Sequence, residues 1–302
     1  MSQAVGAPSF AGDVGYVLMY VCGNLGCSPS SSPSVPYYTP PSAGDVLAFG
    51  STVSLTGTGS MLAVGAYPGG GPTPSMGHVY VYACLPSPDC TCASGPQSMT
   101  TKNPDSSDGL SFGYWVAFSP DGLWLAVGSP GSNFHDGAVS LYPCDPLLKT
   151  CDSSQEQLFA GCSGYACTYA NAIAIAPGIV AVSAQNMPAT WPFFRTPSSS
   201  VPNVGGVFVL ALDIATQSWA PAPANPFLFH VRGGCWRSGA LSRELLPLLA
   251  DRQGTPGASE YFGTSLALSV DGSVLAVGAP GWPSSGGQGA VFIYSCNSTA
   301  SW

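Results

Sequence analysis

Charged side chains are scarce in this 302-residue chain, and basic ones are the scarcest. Only 7% of the residues are charged, and 7 Lys and Arg against 15 Asp and Glu give a formal net charge of −8. A chain without a basic stripe cannot neutralise many phosphates, which argues against nucleic acid and anionic membrane surfaces as partners. So low a charged fraction is typical of wall and secreted proteins.

Residues that carry acid–base catalysis are also few. The chain has three histidines and three glutamates, which are His78, His135, His230, Glu156, Glu244 and Glu260. His135 beside Asp136 is the nearest approach to a polar constellation, but adjacent residues of a strand point to opposite faces. No nucleophile elbow, zinc-protease motif or phosphate-binding loop occurs. We therefore predict a non-enzymatic protein without catalytic residues and without a cofactor.

Long apolar runs are absent. A membrane-spanning helix needs about 20 consecutive apolar residues, and the closest approach, residues 170–184, is interrupted by Pro177 and Gly178. The opening residues also lack the basic start and apolar stretch of a secretory signal peptide. The sequence therefore predicts no membrane insertion in this segment.

Turn-forming and apolar residues are abundant instead, with 38 Gly, 29 Pro and 45% hydrophobic residues. Residues 261–294 hold three short alternating apolar runs, of which the first two are joined by Asp271 and Gly272 and the last two by a Gly/Ser-rich loop. Asp-Gly between alternating runs is a strong hairpin signal. Three antiparallel strands cannot bury a face alone, so such a unit must stack on copies of itself.

Copies of this unit recur along the chain. Each starts near a Phe-Gly pair, continues to a middle run like Leu-Ala-Val-Gly-Ala, and closes with a third run led by glycine. The pairs are Phe49-Gly50, Phe112-Gly113 and Phe262-Gly263, with Tyr169-Ala170 in a worn copy. The chain opens inside a fifth copy, at residues 4–8.

These repeats resemble the FG-GAP repeat, the blade unit of the propeller in integrin alpha subunits and in many extracellular proteins. The form here is most similar to the calcium-poor branch of that family. The resemblance implies an all-β propeller of four-stranded antiparallel blades, about five of them present, in one domain spanning 1–302. The expected blade units are 4–46, 47–109, 110–164, 165–258 and 259–302.

The interval between the middle runs of the last two copies is the longest, and we place an insertion at 215–242. Four of the seven basic residues lie there or close by, namely Arg232, Arg237, Arg243 and Arg252. An exposed insertion, a binding loop and translated non-coding sequence are the three interpretations.

Eleven cysteines complete the pattern. Four cysteines occupy the same position in their repeats, just after the third run, namely Cys22, Cys84, Cys144 and Cys296. In three of these repeats a second cysteine follows a few residues later, namely Cys27, Cys90 (with Cys92) and Cys151. The two ends of a short loop lie within bonding reach, so we predict disulfides Cys22–Cys27 and Cys144–Cys151 and a bond from Cys84 to Cys90 or Cys92. Zinc is the alternative, but these pairs fall in separate repeats. Disulfides indicate an oxidising compartment. The pairing of Cys92, Cys162, Cys167, Cys235 and Cys296 stays open.

Calcium binding has to be considered next, because integrin blades bind calcium in their first hairpin. The ion needs six to eight oxygen ligands, several of them carboxylates. The hairpins here offer one carboxylate each, Asp121 and Asp271, and apolar residues stand at other ligand positions, namely Ala117, Leu125, Ala267 and Leu275. We predict that the two aspartates serve tight turns and that no metal binds.

Six aromatic residues lie in the loops after the middle runs, namely Tyr67, Phe134, Trp191, Phe193, Phe194 and Trp282. Such loops project on one propeller face, where aromatic rings anchor protein partners or stack on sugars; coverage of the blade edges is the alternative. We interpret the chain as a secreted or cell-surface module for protein interaction or adhesion, with a protein or glycan ligand. The alternatives are a non-catalytic carbohydrate-binding propeller accompanying a hydrolase domain, and a cytosolic WD-type scaffold.

Two further expectations concern processing. Asn297-Ser298-Thr299 is the only glycosylation sequon, which predicts a glycan on Asn297. We also expect a longer natural chain, because the first repeat lacks its Phe-Gly run, the last lacks a fourth run, and a disulfide framework stands without a signal sequence.

Overall fold

The computed structural model shows a chain built from antiparallel sheets. It describes residues 2–8, 15–23, 26–29, 37–40, 48–67, 77–85, 91–93, 95–100, 111–131, 137–160, 168–186, 205–221, 227–228, 260–283 and 286–295. The chain divides into two compact units, Met1–Phe159 and Ala160–Trp302. No helix in the described part is long and apolar enough to cross a membrane.

The first unit contains three sheets, each made of strands that follow one another along the chain. Blade 1 consists of β1 (Ser2–Ala7), β2 (Tyr16–Gly23), β3 (Gly26–Pro29) and β4 (Tyr37–Tyr38). Blade 2 consists of β5 (Phe49–Leu55), β6 (Met61–Ala66), β7 (His78–Ala83) and β8 (Gln97–Met99). Blade 3 consists of β9 (Trp115–Phe118), β10 (Trp124–Ser129), β11 (Ala138–Asp145), β12 (Thr150–Cys151) and β13 (Gln157–Ala160), with a 3-10 turn at Ser153–Gln155.

The second unit contains two further sheets. Blade 4 consists of β14 (Tyr169–Ala176), β15 (Ile179–Ala184), β16 (Val207–Asp213), β17 (Ser218–Pro221) and β18 (Phe227–Leu228). Blade 5 consists of β19 (Ser265–Leu268), β20 (Val274–Ala279) and β21 (Ala290–Ser295). The fold is an all-β propeller, which confirms the class that the repeats predict.

Alternate residues of a blade face its two neighbours, and blade 2 shows this most clearly. Leu62 and Val64 share one core with residues of blade 1, whereas Met61, Ala63 and Val79 share another with residues of blade 3. The middle strand is therefore buried on both faces along its whole length. This burial explains its continuously apolar sequence, which an antiparallel strand with one wet face would not have.

The main chain of each Phe-Gly pair lies directly against the main chain of the preceding blade. A Cβ atom on Gly65 of β6 would overlap the carbonyl oxygen of Gly113, and one on Gly77 would overlap that of Phe112. Only glycine permits such an approach. The contact recurs as a parallel bridge at two other interfaces within the units, Gly15 with Phe49 and Gly205 with Phe262.

The entry to each first strand has a fixed backbone form. The residues on either side of the aromatic residue both have positive φ, in the pairs Ala48 and Gly50, Ser111 and Gly113, Thr168 and Ala170, and Tyr261 and Gly263. The worn copy at Tyr169-Ala170 thus keeps this conformation, with Ala170 at φ 66°, although its glycine is gone.

Hydroxyl groups link the first strands of blades 2 and 3. The amide of Val116 donates to Thr52 Oγ1 at 3.3 Å, and that of Phe118 donates to Ser54 Oγ at 2.9 Å. Side-chain oxygens of β5 therefore accept hydrogen bonds from two buried backbone amides of β9.

The segment expected to be an insertion begins as part of blade 4. Ser218–Pro221 and Phe227–Leu228 both pair with β16, so these residues of 215–242 are outer strands. Apolar and polar residues do not alternate in this proline-rich sequence, so the repeat pattern did not indicate these two strands. The rest of that segment lies outside the described residues.

We predict opposite outcomes for one substitution at two equivalent glycines. Gly65→Ala should lower the free energy of unfolding by about 3 kcal/mol, because the new methyl group meets the backbone of blade 3. Gly278 holds the same position in blade 5, but a Cβ there would meet the side chain of Ser265, which can rotate. Gly278→Ala should cost less than about 1 kcal/mol. Urea unfolding measures both, and equal losses would contradict the backbone contact.

Candidate functional site

The best-defined surface feature lies at the outer edge of blade 3, around a disulfide. Cys144 and Cys151 are bonded and stand directly opposite each other in the β11–β12 hairpin. This is the pair that the repeat phase predicts. Blade 2 has a bond at the same phase, where Cys84 is joined to Cys92 across an isolated bridge.

The structure decides between the two partners that the sequence leaves open for Cys84. Cys90 and Cys92 were the alternatives, and the disulfide joins Cys84 to Cys92. The reason is register, since Cys92 is the residue that faces Cys84 across the two strands. Cys22 and Cys27 are likewise opposite in the backbone of β2 and β3, but their side chains lie outside the described residues, as does Cys90.

Each described disulfide is hydrogen bonded to the blade before it. The amide of Cys92 donates to the phenol oxygen of Tyr38 at 2.6 Å. The side chain of Gln97 makes two hydrogen bonds to the main chain of Cys151, and we name this pair of bonds the Gln97 clamp. Its amide donates to the Cys151 carbonyl, and its oxygen accepts from the Cys151 amide at 3.0 Å. Lys149 donates back to the carbonyl of Cys84 at 2.7 Å. The disulfide edges thus fix blades 1, 2 and 3 to one another.

A shallow groove runs beside the blade 3 disulfide. Its volume is about 540 Å³, and its lining includes Gln97, Asp145, Leu148, Asp152 and Gln155. The carboxylate of Asp152 already accepts two local hydrogen bonds, from the amide of Ser154 at 2.8 Å and from the side chain of Gln155 at 2.8 Å. The groove therefore offers polar acceptors beside an apolar side chain, without a nucleophile–base pair among these lining residues.

An apolar turn, residues 145–149, rises next to this groove; we name it the leucine turn. Asp145 Oδ1 accepts from the amides of Leu147 at 2.7 Å and Leu148 at 3.1 Å, and the Asp145 carbonyl accepts from the Lys149 amide at 2.7 Å. Leu147 is 90% exposed and Leu148 is 72% exposed. The turn is thus fixed by three hydrogen bonds while both leucine side chains project into solvent.

A third exposed leucine lies beside the leucine turn. Leu123 belongs to the hairpin between β9 and β10, and its carbonyl accepts from the Cys144 amide at 2.7 Å. In an up-and-down blade the first and third hairpins close at the same end, which brings the two turns together. The apolar surface therefore spans two hairpins of blade 3.

Blade 4 has the same turn with different side chains. Asp213 Oδ1 accepts from the amides of Ala215 at 2.9 Å and Thr216 at 3.4 Å. Gln217 has φ 53°, as Lys149 has φ 57°. Blades 3 and 4 thus share the backbone of this turn, whereas blade 4 has Ala215 and Thr216 where blade 3 has Leu147 and Leu148.

The two hairpin aspartates, Asp121 and Asp271, accept hydrogen bonds within their own turns. Asp121 accepts from the hydroxyl of Ser119 and from the amide of Leu123 at 3.1 Å. Asp271 accepts from the hydroxyl of Ser269 at 2.6 Å and from the amide of Ser273 at 3.1 Å. The aspartates therefore close their turns, and no group of three metal-binding side chains occurs among the described residues.

Two of the six candidate aromatics fall within the described residues, and both rest on other rings. Trp282 is half-buried, with its ring 5.5 Å from Phe292 in an edge-on contact. Tyr67 is half-buried, with its ring 4.9 Å from Tyr114. Part of the surface of each ring is therefore covered by a neighbouring ring. The other four, Phe134, Trp191, Phe193 and Phe194, lie outside the described residues, as does Asn297.

Sequence reasoning missed the leucine turn and the Gln97 clamp. The first had a readable signal, because an Asp-Pro-Leu-Leu turn places apolar residues where a hairpin loop is normally polar. The second had none, because a glutamine in a short outer strand gives no indication of what its amide will contact.

Comparison with known proteins gives likenesses to solved structures alone. No family model matches the chain, and no curated protein matches it. Sqt1 from Chaetomium thermophilum is 16% identical with a TM-score of 0.40, over 81% of this chain and 42% of that one. The Dos1 propeller is 14% identical with a TM-score of 0.41, over 91% and 48%. TolB from Acinetobacter baumannii is 13% identical with a TM-score of 0.40, over 98% and 50%. The chain thus spans half the length of these structures or less, and likenesses of this degree say nothing about function.

We expect the Gln97 clamp to contribute measurably to stability. Gln97→Leu leaves the amide and carbonyl of Cys151 facing an apolar side chain, which should lower the free energy of unfolding by about 2 kcal/mol. Gln155→Leu is the matched control, since Gln155 bonds at the exposed surface, and its cost should stay below about 0.5 kcal/mol. Urea unfolding compares them, and equal costs would argue against the clamp.

The turn at Asp271 should persist to strongly acidic pH. Hydrogen bonds from the Ser269 hydroxyl and from Ser273 lower the pKa of this fully exposed carboxyl to about 2. Because an unfolded aspartate has a pKa of about 3.9, the stabilisation is present above about pH 4 and is lost as the pH falls towards 2. A carboxyl NMR titration should show the low midpoint, and Ser269→Ala should raise it. An unshifted midpoint in that variant would refute the assigned cause.

Proposed function

We propose that this chain is a protein-interaction module of the FG-GAP propeller type, acting outside the cell or at its surface and without enzymatic activity. Its binding surface is the leucine turn with Leu123 and the adjoining groove of blade 3. The proposal is carried by one observation, that a hydrogen-bonded turn holds Leu147 and Leu148 at 90% and 72% exposure.

Fixed apolar side chains are well suited to binding. Burial of a leucine side chain contributes about 2 kcal/mol, and a contact whose backbone is already ordered loses little conformational entropy on association. Asp145 supplies that order through its side-chain and main-chain oxygens. The leucines would therefore serve as anchors that enter apolar pockets of a partner.

The residues around the two leucines are polar, like the rim of a protein interface. Asp145, Asp152 and Gln155 line the groove at the foot of the turn, and polar rims around an apolar centre are usual for protein interfaces. Lys149, the basic residue of the turn, is engaged with the Cys84 carbonyl. The rim thus favours a partner that places basic or amide side chains around its pocket.

The proposed location follows from the disulfides. Two of them close hairpins of neighbouring blades, and such bonds persist in oxidising compartments. An adhesive role like that of the integrin head agrees with this location and with the Phe-Gly contacts between blades. A carbohydrate-binding role gains less support, because Tyr67 and Trp282 pack on other rings.

Replacing the leucine turn by its blade 4 equivalent should abolish partner binding and leave the fold intact. Leu147→Ala with Leu148→Thr reproduces the residues that blade 4 carries on the same backbone. A partner selected from a display library of extracellular domains should bind the double variant about 100-fold more weakly than the wild type, measured by biolayer interferometry. Urea unfolding should show unchanged stability.

The matched control is Leu158→Thr, which removes an exposed leucine of β13 outside the turn and should leave affinity unchanged. Equal binding by the double variant would refute the surface. Binding of the wild type to a glycan array but to no protein would refute the proposal in favour of the carbohydrate-binding alternative.

A further inference from the structure

Two tyrosines from neighbouring blades of the first unit lie with their rings in contact. Tyr67 follows β6 of blade 2, and Tyr114 stands just before β9 of blade 3. Their ring centroids are 4.9 Å apart, and the ring planes are tilted by 53°. Both residues are half-buried, and neither belongs to the core that blades 2 and 3 share. The contact is therefore a partly exposed bridge between two blades.

Main-chain contacts determine where the two rings meet. Gly65 lies two residues before Tyr67, and a Cβ atom on Gly65 would overlap the carbonyl oxygen of Gly113. Gly113 directly precedes Tyr114, whose amide donates to the Ser111 carbonyl at 2.9 Å. Both rings thus extend from backbone that is already ordered and in contact. Groups held together in this way react with each other far faster than free groups in solution.

The phenol groups of the pair also lie near each other. Burial raises the pKa of Tyr114, and the neighbouring Tyr67 raises it further, because a second negative charge close by disfavours ionisation. The hydroxyl ends of the two rings therefore lie on the same side of the contact. The Cε carbons stand next to the hydroxyl-bearing carbon of each ring, so they lie on that side as well.

Another tyrosine pair, between blades 1 and 2, provides a comparison. The rings of Tyr38 and Tyr82 have centroids 5.4 Å apart. Tyr82 is only 1% exposed, and the Tyr38 hydroxyl accepts from the Cys92 amide at 2.6 Å. A ring in a close-packed core cannot turn freely towards its neighbour. The pair at Tyr67 and Tyr114 is thus closer and more accessible.

We propose that Tyr67 and Tyr114 form a site of oxidative modification, at which a haem peroxidase with hydrogen peroxide joins their rings by a carbon–carbon bond. Each phenol loses one electron and one proton, and the peroxide takes up both pairs as its O–O bond breaks to give two water molecules. The two phenoxyl radicals then couple at a Cε carbon of each ring. The hydrogens of these carbons are lost as protons while the oxygens are protonated, which restores both phenols. The protein thereby loses two hydrogen atoms in total.

The new bond would lie at the opposite end of blade 2 from the disulfide contacts. Lys149 reaches Cys84, whose amide donates to the carbonyl of Ser60 just before β6, whereas Tyr67 follows the last residue of β6. The cross-link and the polar contacts would therefore join blades 2 and 3 at both ends. A covalent link between distant parts of the chain also restricts the unfolded state, which stabilises the fold.

The test treats the full chain with a plant haem peroxidase and limiting hydrogen peroxide. Dityrosine fluorescence should appear, and peptide mass spectrometry should find a linked pair of peptides that contain Tyr67 and Tyr114 and together lack two hydrogens. Because the rings are already in contact, the yield per molecule should not fall when the protein is diluted. The oxidised protein should unfold at a higher urea concentration than the untreated protein.

Tyr67→Phe and Tyr114→Phe keep a ring at each position but remove a phenol, and each should abolish the linked peptide and the shift in urea unfolding. Tyr20→Phe, at a half-buried residue of β2, is the matched control and should change neither. Linkage of Tyr38 to Tyr82 in preference, linkage between molecules alone, or treatment that leaves Tyr67 and Tyr114 unlinked would each overturn the proposal. The leucine turn takes no part in this reaction, so such a result leaves the proposed function standing.

Discussion

Within each unit, the distance between successive blades is set by main-chain atoms. The phenylalanine carbonyls of blades 2, 3 and 5 each lie against a glycine of the blade before, where a Cβ atom would overlap the carbonyl oxygen. This approach positions the aromatic residue over the apolar face of the earlier blade, and the cores of blades 1–2, 2–3 and 4–5 follow from it. The hydroxyls of Thr52 and Ser54 can then reach the amides of the next strand. Side-chain packing fills a space whose width the glycines have already fixed.

At the outer edge the blades are joined in another way, by polar contacts to disulfide-closed hairpins. The side chains of Gln97 and Lys149 cross between blades 2 and 3 in opposite directions, so the hairpin that bears the leucine turn is held at Lys149 of the turn and at Cys151 of β12. The turn itself is ordered by Asp145. A surface of this kind combines apolar side chains with a rigid base, which is the combination that protein recognition favours.

Much of this fold could be predicted from the sequence, because its signals are local and repeated. Alternation, Asp-Gly turns and Phe-Gly pairs each recur at one phase, so strands and hairpin disulfides followed from them. The choice of Cys92 over Cys90 could not be predicted, because it depends on which residue faces Cys84 across the bridge. For Trp282 the sequence left open whether it would face a ligand or cover a blade edge, and its contact with Phe292 is set by tertiary packing. The leucine turn of blade 3 did not follow from the repeated signals, because the matching turn of blade 4 has Ala215 and Thr216 in place of its two leucines.

The glycine contacts bear on how such a chain can evolve. Because the contact surface is main chain, its shape does not depend on the side chains of the blades that meet there. Any blade with the two glycines can precede any blade with an aromatic–glycine start. Duplication of a gene segment that encodes one blade would therefore produce a compatible neighbour at once, and the hairpin turns of the two copies could then diverge, as those at Asp145 and Asp213 differ here. The number of blades could change by unequal exchange without any new interface having to arise.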